Sequence, residues 1–291
     1  MKPASFAYHA PDTAAEAVQL LAELGEGAKV LAGGQSLIPM LSLRLTAFDD
    51  LVDVGRVDEL KGIERRDGHL WIGSGTRYAA VESSPEVAAA VPLLARATPF
   101  IGHFQIRNRG TAGGAIAHAD PAAEYPAVAL ALDASMHALS PRGARTVAAA
   151  DFFEGVWTTT LAPDELLTAM SFPVWSGRCG FAVEEFARRH GDFAIAGTTL
   201  GVELDEQDRV VRCAIGLIGL GSTPERARAA EASAVGRASS EVDAEELGRL
   251  AMSELRSVPV DLQGSAEYRK RVGAAMVARA WTSATTEAAR G

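Results

Sequence analysis

Ile106-Arg107-Asn108-Arg109-Gly110-Thr111-Ala112-Gly113-Gly114-Ala115-Ile116-Ala117-His118-Ala119-Asp120-Pro121 is the stretch from which the fold can be read outward. Between Gly110 and Ala115 almost nothing occupies volume, so the run is poor core filling. Glycine opens the φ > 0 region and lets the backbone approach another surface closely. Consecutive N–H groups in such a loop can form a concave anion site, strengthened when a helix starts just behind it. An earlier loop of the same kind lies at Leu31-Ala32-Gly33-Gly34-Gln35-Ser36-Leu37. Two such loops, flanked by the hydroxyls of Ser36 and Thr111, point to one extended ligand gripped at two places. Neither is the G-x-G-x-x-G of a Rossmann fold, and no G-x-x-x-x-G-K-S/T phosphate loop occurs.

The chain that carries these loops has 291 residues, comfortable for two domains. It is 48% hydrophobic and 22% charged, with a formal net charge of −9, which argues against a nucleic-acid binder. Its two cysteines, Cys179 and Cys213, form no C-x-x-C pair, which speaks against a disulfide framework and a cysteine-held iron–sulfur cluster. His103, His118 and Asp120 do not have the spacing of a standard ligand set, so no metal site is expected. The first residues lack the apolar core of a signal peptide, and no 18-residue apolar run follows. A cytoplasmic chain without a membrane span is the expectation.

Local signals fill in the scaffold. Thr13-Ala14-Ala15-Glu16 reads as a capping box, opening a helix with Ala14, Val18, Leu21 and Leu24 on one face and ending at Gly25. Strands over 29–31 and 51–54 and a short helix over 37–45 give a β-α-β-α-β opening. Arg66-Asp67-Gly68-His69 predicts a hairpin turn, and Ser84-Pro85 a helix start that Pro92 interrupts. A helix over 126–132 and strands over 136–139, 145–148 and 165–172 follow the second glycine loop. The stretch 173–180 reads as a linker. Beyond it, strands over 181–187, 198–204 and 210–217 predict a three-stranded antiparallel sheet, with helices over 224–232, 244–255 and 266–288. The charge run from Glu184 to Arg189 reads as an alternating strand face with a solvated side. The four tryptophans read mostly as packing residues, and Arg107 and Arg109 as candidates for a phosphate or a partner. The class is α+β, with parts at 1–175 (itself divided into about 1–57 and 58–175) and 176–291.

Ala32-Gly33-Gly34-Gln35-Ser36 and Thr111-Ala112-Gly113-Gly114, with Gln105-Ile106-Arg107-Asn108 upstream, resemble the two FAD-binding motifs of the flavoprotein subunit of molybdenum hydroxylases. Phe6-Ala7-Tyr8, the run from Arg188 to Ala194, and Ala266-Glu267-Tyr268-Arg269 resemble further landmarks of that family. The resemblance implies an FAD-binding domain of the vanillyl-alcohol-oxidase (PCMH) type followed by a small C-terminal α+β domain. It places the first loop (Lys29, Leu31, Ala32, Gly33, Gly34, Gln35, Ser36, Leu37) and the second (Gly110, Thr111, Gly113, Gly114, Ala117) around the cofactor. It adds Ile101, Asp120, Glu124, Leu161, Glu185 and Phe193, the last as an aromatic shield on a flavin face where some relatives carry tyrosine.

The chain departs from the family at three positions. Gln35 stands where the carbon monoxide enzyme is expected to carry histidine, and without a nucleophilic nitrogen it implies non-covalent FAD. Glu124 replaces an aspartate, and Glu185 a lysine, near the flavin. A carboxylate at position 185 would disfavour an anionic reduced flavin. Together they point away from carbon monoxide dehydrogenase itself, towards an N-heterocycle dehydrogenase or another relative. The resemblance also implies a large molybdenum-cofactor subunit, a small subunit with two 2Fe–2S clusters, and a dimer of such heterotrimers. This chain would take single electrons on FAD and pass pairs to NAD, a quinone or O2, with no acid–base catalytic residue. The alternatives are a self-sufficient FAD-dependent oxidoreductase of the same fold and a maturation or scaffold protein that has kept it.

Overall fold

The computed structural model describes residues 2–291. Strand β1 (Ala7–His9), helix α1 (Ala14–Leu24), strand β2 (Ala28–Leu31), helix α2 (Leu37–Ser42) and strand β3 (Asp50–Asp53) form a small parallel sheet of order β1-β3-β2. Thr13 caps α1 by accepting the Glu16 N–H, while the Glu16 carboxylate reaches back to the Asp12 N–H (2.9 Å). The α1 face of Ala14, Ala17, Val18 and Leu21 is buried against Val52, Val54 and Leu60. Helix α2 stops at Ser42, short of the predicted Leu45, and Ser36 makes no side-chain cap. Pro39 is the third residue of α2, where a missing N–H costs no intrahelical bond.

A five-stranded antiparallel sheet follows, of order β4-β5-β10-β6-β7. Its strands are β4 (Ile63–Arg66), β5 (His69–Gly73), β6 (Ser135–Ser140), β7 (Gly143–Ala148) and β10 (Leu166–Pro173); the short hairpin β8 (Phe153–Gly155) and β9 (Thr158–Thr159) stands apart. Asp67 and Gly68 both take positive φ (50° and 72°) in the β4–β5 turn, as a tight hairpin requires. Between β5 and β6 run α3 (Tyr78–Glu82), α4 (Pro85–Ala90), α5 (Pro92–Ala97), α6 (Phe104–Arg107), α7 (Ala112–His118) and α8 (Glu124–Ala131). Every residue of α8 is buried, as befits a helix without a polar face between two layers.

The chain continues through only 174–177 before β11 (Arg178–Phe186), so the predicted linker over 173–180 is shorter, its two ends belonging to strands. Strands β11, β12 (Ala196–Leu204), β13 (Val210–Ile218) and β14 (Glu225–Arg226) make an antiparallel sheet in that order, covered by α9 (Arg228–Ala234), α10 (Ala244–Ser253) and α11 (Ala266–Ala288). The expected three strands gain a fourth because Glu225 and Arg226 pair with Leu217 and Gly216. The helix predicted over 224–232 therefore starts only at Arg228, with Arg226 held by Glu231 (2.8 Å) and Asp133.

Two devices join this sheet to the preceding layers. Gly216 lies so close to Ala127 of α8 that a β-carbon would overlap its carbonyl. Arg96 of α5 forms a bidentate pair with Glu287 of α11 (2.6 Å for each bond), and Glu287 also accepts the Phe181 N–H at 3.0 Å.

Candidate functional site

The two glycine loops meet. A β-carbon on Gly33 would overlap the Arg109 carbonyl and come within 2.6 Å of Gly110 Cα. Gly110 is packed on the Tyr78 ring, and Gly113 sits against Ser74 so closely that its missing β-carbon would overlap that residue. The small residues of the second loop are therefore explained first by packing of protein on protein. Gly34 is required for another reason, its φ of +72°.

Beside this junction opens a cleft of about 620 Å³, within the size range of cofactor sites. The hydrogen bonding of the two loops differs. Among the described residues, the N–H groups of Ala32, Gly33, Gly34, Gln35 and Ser36 meet no protein acceptor, and all five residues line the cleft. In the second loop, among the described residues, every donor from Gly110 to Ala115 except the Thr111 N–H is already committed. Gly110 donates to Ile106 O (2.7 Å), Ala112 to Thr76 O (2.9 Å) and Gly113 to Ser74 O (2.9 Å). Gly114 donates to Thr111 Oγ1 at 3.1 Å, so that hydroxyl caps α7 and keeps only its own proton to offer. Gln35 folds back, its amide donating to Gly33 O at 3.0 Å.

Lys29, exposed on β2, lines the same cleft, and partial desolvation there lowers its pKa. Among the described residues no carboxylate lies within ion-pair distance of it; its Nζ lies over the Phe48 ring, 5.8 Å from the centroid. The other charged wall residue of note, Glu165, is neutralised by Arg145 in a bidentate pair (2.6 and 2.7 Å), which holds its pKa down.

Of the residues expected to touch a cofactor, the cleft gathers Lys29, Ala32, Gly33, Gly34, Gln35, Ser36 and Leu37 from the first loop. It also gathers Gly110, Thr111, Gly113, Gly114, Ala117 and Leu161. Leu31 stands behind the wall, against Gly34. Ile101 packs on the core of the middle layers, and its carbonyl accepts from Arg107 at 3.3 Å. Arg107, also bonded to Glu82 (2.7 Å), is thus a structural brace and not a free phosphate ligand. Phe193 is 59% exposed and outside the cleft wall.

Asp120, Glu124 and Glu185 make a separate group. Glu124 opens α8 and is 9% exposed. Burial, with the charge of Asp120 adding to it, raises its pKa to about 7. Glu185, on β11, has a buried Oε2 without a hydrogen-bond partner; burial, then the charge of Glu124, raises its pKa to about 8. Glu184, its neighbour on the other side of the strand, reaches Arg279 (3.2 Å), in keeping with the alternating face read from the sequence. One expectation is corrected: Glu185 does not present a carboxylate near neutral pH, because two neighbouring acids drawn out of water without a cation cannot both ionise cheaply.

Among the wall residues that the sequence left unmarked as ligands are Ser74, Tyr78, His118 and Trp157. Trp157 was expected to be packing, yet it is 50% exposed at the tip of the β8–β9 hairpin. Val156 and Trp157, strand-favouring residues that join β8 to β9, carry no turn signature that could have located that hairpin.

Comparison with known proteins bears on this geometry. Residues 4–175 match the family model "FAD binding domain in molybdopterin dehydrogenase", and 181–284 match "CO dehydrogenase flavoprotein C-terminal domain". The chain is 41% identical over 279 residues to the 6-hydroxypseudooxynicotine dehydrogenase complex subunit alpha of Paenarthrobacter nicotinovorans, covering 96% of this chain and 94% of that one. It is 37% identical to the carbon monoxide dehydrogenase medium chain of Hydrogenophaga pseudoflava, with 98% of both chains covered. A solved structure of carbon monoxide dehydrogenase from that organism superposes with a TM-score of 0.95 over 99% of both chains at 38% identity.

Proposed function

The chain belongs to the family of FAD-binding medium subunits of molybdenum hydroxylases, and from that premise we propose that it relays electrons between a small 2Fe–2S subunit and an acceptor such as NAD, a quinone or O2. Substrate oxidation takes place on a large molybdenum-cofactor subunit, and the three assemble as a dimer of heterotrimers in the cytoplasm. FAD, when bound, supplies the exchange between single electrons and pairs. Everything else is the work of this chain's residues. In this reading 1–175 forms the cofactor domain, with subdomains at about 1–57 and 58–175, and 176–291 closes it.

The observation that carries the proposal is the row of open N–H groups from Ala32 to Ser36 along the cleft. A pyrophosphate needs many donors, and backbone amides supply them without adding charge. Lys29, an exposed cation on the cleft wall whose pKa partial desolvation lowers and which lacks a carboxylate partner among the described residues, contributes the neutralising charge. The Thr111 hydroxyl has one proton left to donate. Gln35, lacking a nucleophilic nitrogen and tied to Gly33, holds the loop open and leaves the cofactor non-covalent. No acid–base residue is assigned a catalytic step.

Titrating the purified chain with FAD tests this. The expected result is uptake of flavin absorbance by the protein and complete release of that absorbance on denaturation. Flavin that stays attached after denaturation would refute non-covalent binding. A chain that takes up none, alone or with its partner subunits, would refute the FAD site.

A further inference from the structure

Trp157 has a backbone that a bulky residue rarely adopts, with φ of +56°. Such strain persists only where the surroundings over-determine it, and it gathers at functional sites. Here the surroundings are on the cleft wall. The Trp157 N–H donates to the carbonyl of Ala119 (3.2 Å), which is itself left-handed (φ +54°) at the end of α7. The indole N–H donates to Asp120 Oδ2 at 3.3 Å. The ring lies nearly parallel to His118, with planes 13° apart and centroids separated by 5.9 Å. His118 Nε2 is in turn 4.0 Å from the same Asp120 oxygen. Burial lowers the His118 pKa, which favours the neutral ring in the stack.

Core packing does not account for this seat. Trp157 is half exposed, and its neighbour Val156 is equally so. Two strained residues, two hydrogen bonds and one stack hold an indole at the edge of the cleft that the open amides also line. A rigid aromatic plane held beside a phosphate-binding cradle suits a flat heteroaromatic ring attached to that phosphate.

We propose that Trp157, seated by His118 and Asp120, is a stacking residue for a heteroaromatic ring of the bound dinucleotide. The inference rests on the FAD reading above and deepens it. The ring is either the flavin or the adenine, and the two are told apart by the fragments FMN and ADP.

The test uses the full chain with Trp157→Ala, Trp157→Gly and Trp157→Phe, reading affinity by calorimetry, flavin fluorescence and melting temperature. Trp157→Ala and Trp157→Gly are expected to bind FAD about tenfold more weakly. Trp157→Phe, which keeps a ring, should stay within about threefold. Glycine relieves the positive φ, so Trp157→Gly should melt no lower than the parent while still losing affinity. A residue that merely braced the hairpin would show the reverse. Loss confined to FMN assigns the flavin ring, and loss confined to ADP assigns the adenine. Unchanged affinity of Trp157→Ala and Trp157→Gly for FAD overturns the proposal, as does a Trp157→Phe that binds no better than Trp157→Ala. A parent chain that binds none of the three ligands overturns the FAD reading itself, and this inference with it.

Discussion

The two glycine loops look interchangeable in the sequence and are opposites in the structure. Ala32 to Ser36, on the cleft wall, leaves its amides without a protein acceptor, whereas Gly110, Ala112, Gly113 and Gly114 give theirs to Ile106, Thr76, Ser74 and Thr111. Gly33 and Gly113 are small for one reason, since each admits backbone from another segment where a side chain would collide. The difference lies in what those neighbours offer. The second loop is a buttress whose carbonyl partners hold it shut, and the first is a cradle that rests on it. A glycine-rich loop is thus a statement about space, and only its neighbours decide whether its donors are available.

The sharpest way to break this contrast is to fill the buttress. Gly113→Ala forces a methyl into Ser74, and a loss of about 3 kcal/mol is expected, read as a lower midpoint in urea. Gly34→Ala, in the cradle, meets its φ of +72° and only the yielding side-chain ends of Ile38 and Leu31 (3.1 and 3.3 Å), and should cost about 1 kcal/mol, with FAD affinity falling more than stability does. Equal losses of stability from both would abolish the distinction.

The next largest effect lies behind the second loop, at Glu124 and Glu185. Their folded pKa values, about 7 and about 8, stand above the ordinary carboxylate value of 4.5. The protonated forms favour the fold, so the associated stability is present in acid and is lost as pH rises towards 8. Glu185→Gln should therefore gain stability relative to the parent between pH 5 and pH 9, by on the order of 2 kcal/mol. FAD affinity at pH 6 should be unchanged. Parallel stability curves for the two proteins across that range would contradict the buried pair.

The smallest effect probes the cradle's charge. Lys29→Met removes an exposed cation of the cleft wall that has no carboxylate partner among the described residues, so the ligand-free chain should melt at about the same temperature. FAD should bind about tenfold more weakly, because one charge-assisted bond is lost. A drop in ligand-free stability would mean that Lys29 serves the fold instead.

Much of the scaffold was legible because its signals are local. Thr13 and Glu16 announce α1, Asp67-Gly68 announces the β4–β5 turn, and Ser84-Pro85 announces α4, each acting over a few residues. What escaped depends on distant partners. Strand β14 is two residues long and exists through Gly216 and Leu217. The alternation of β11 was legible, but not that Glu124 would stand near Glu185 and that the Glu185 Oε2 would be buried without a partner. The cleft was foreshadowed by both loops, while Trp157 was hidden by a backbone conformation that nothing in its own sequence favours.

The bond between Arg96 and Glu287 has a kinetic consequence. It spans 191 residues, so the helix that closes the molecule cannot dock until long after α5 has been synthesised. Closing so large a loop is entropically late, and such contacts slow folding more than they alter final stability. The parallel sheet and the two glycine loops depend on nearer neighbours and can assemble first. The cradle therefore exists, as a matter of folding order, before the C-terminal helices complete the molecule around it.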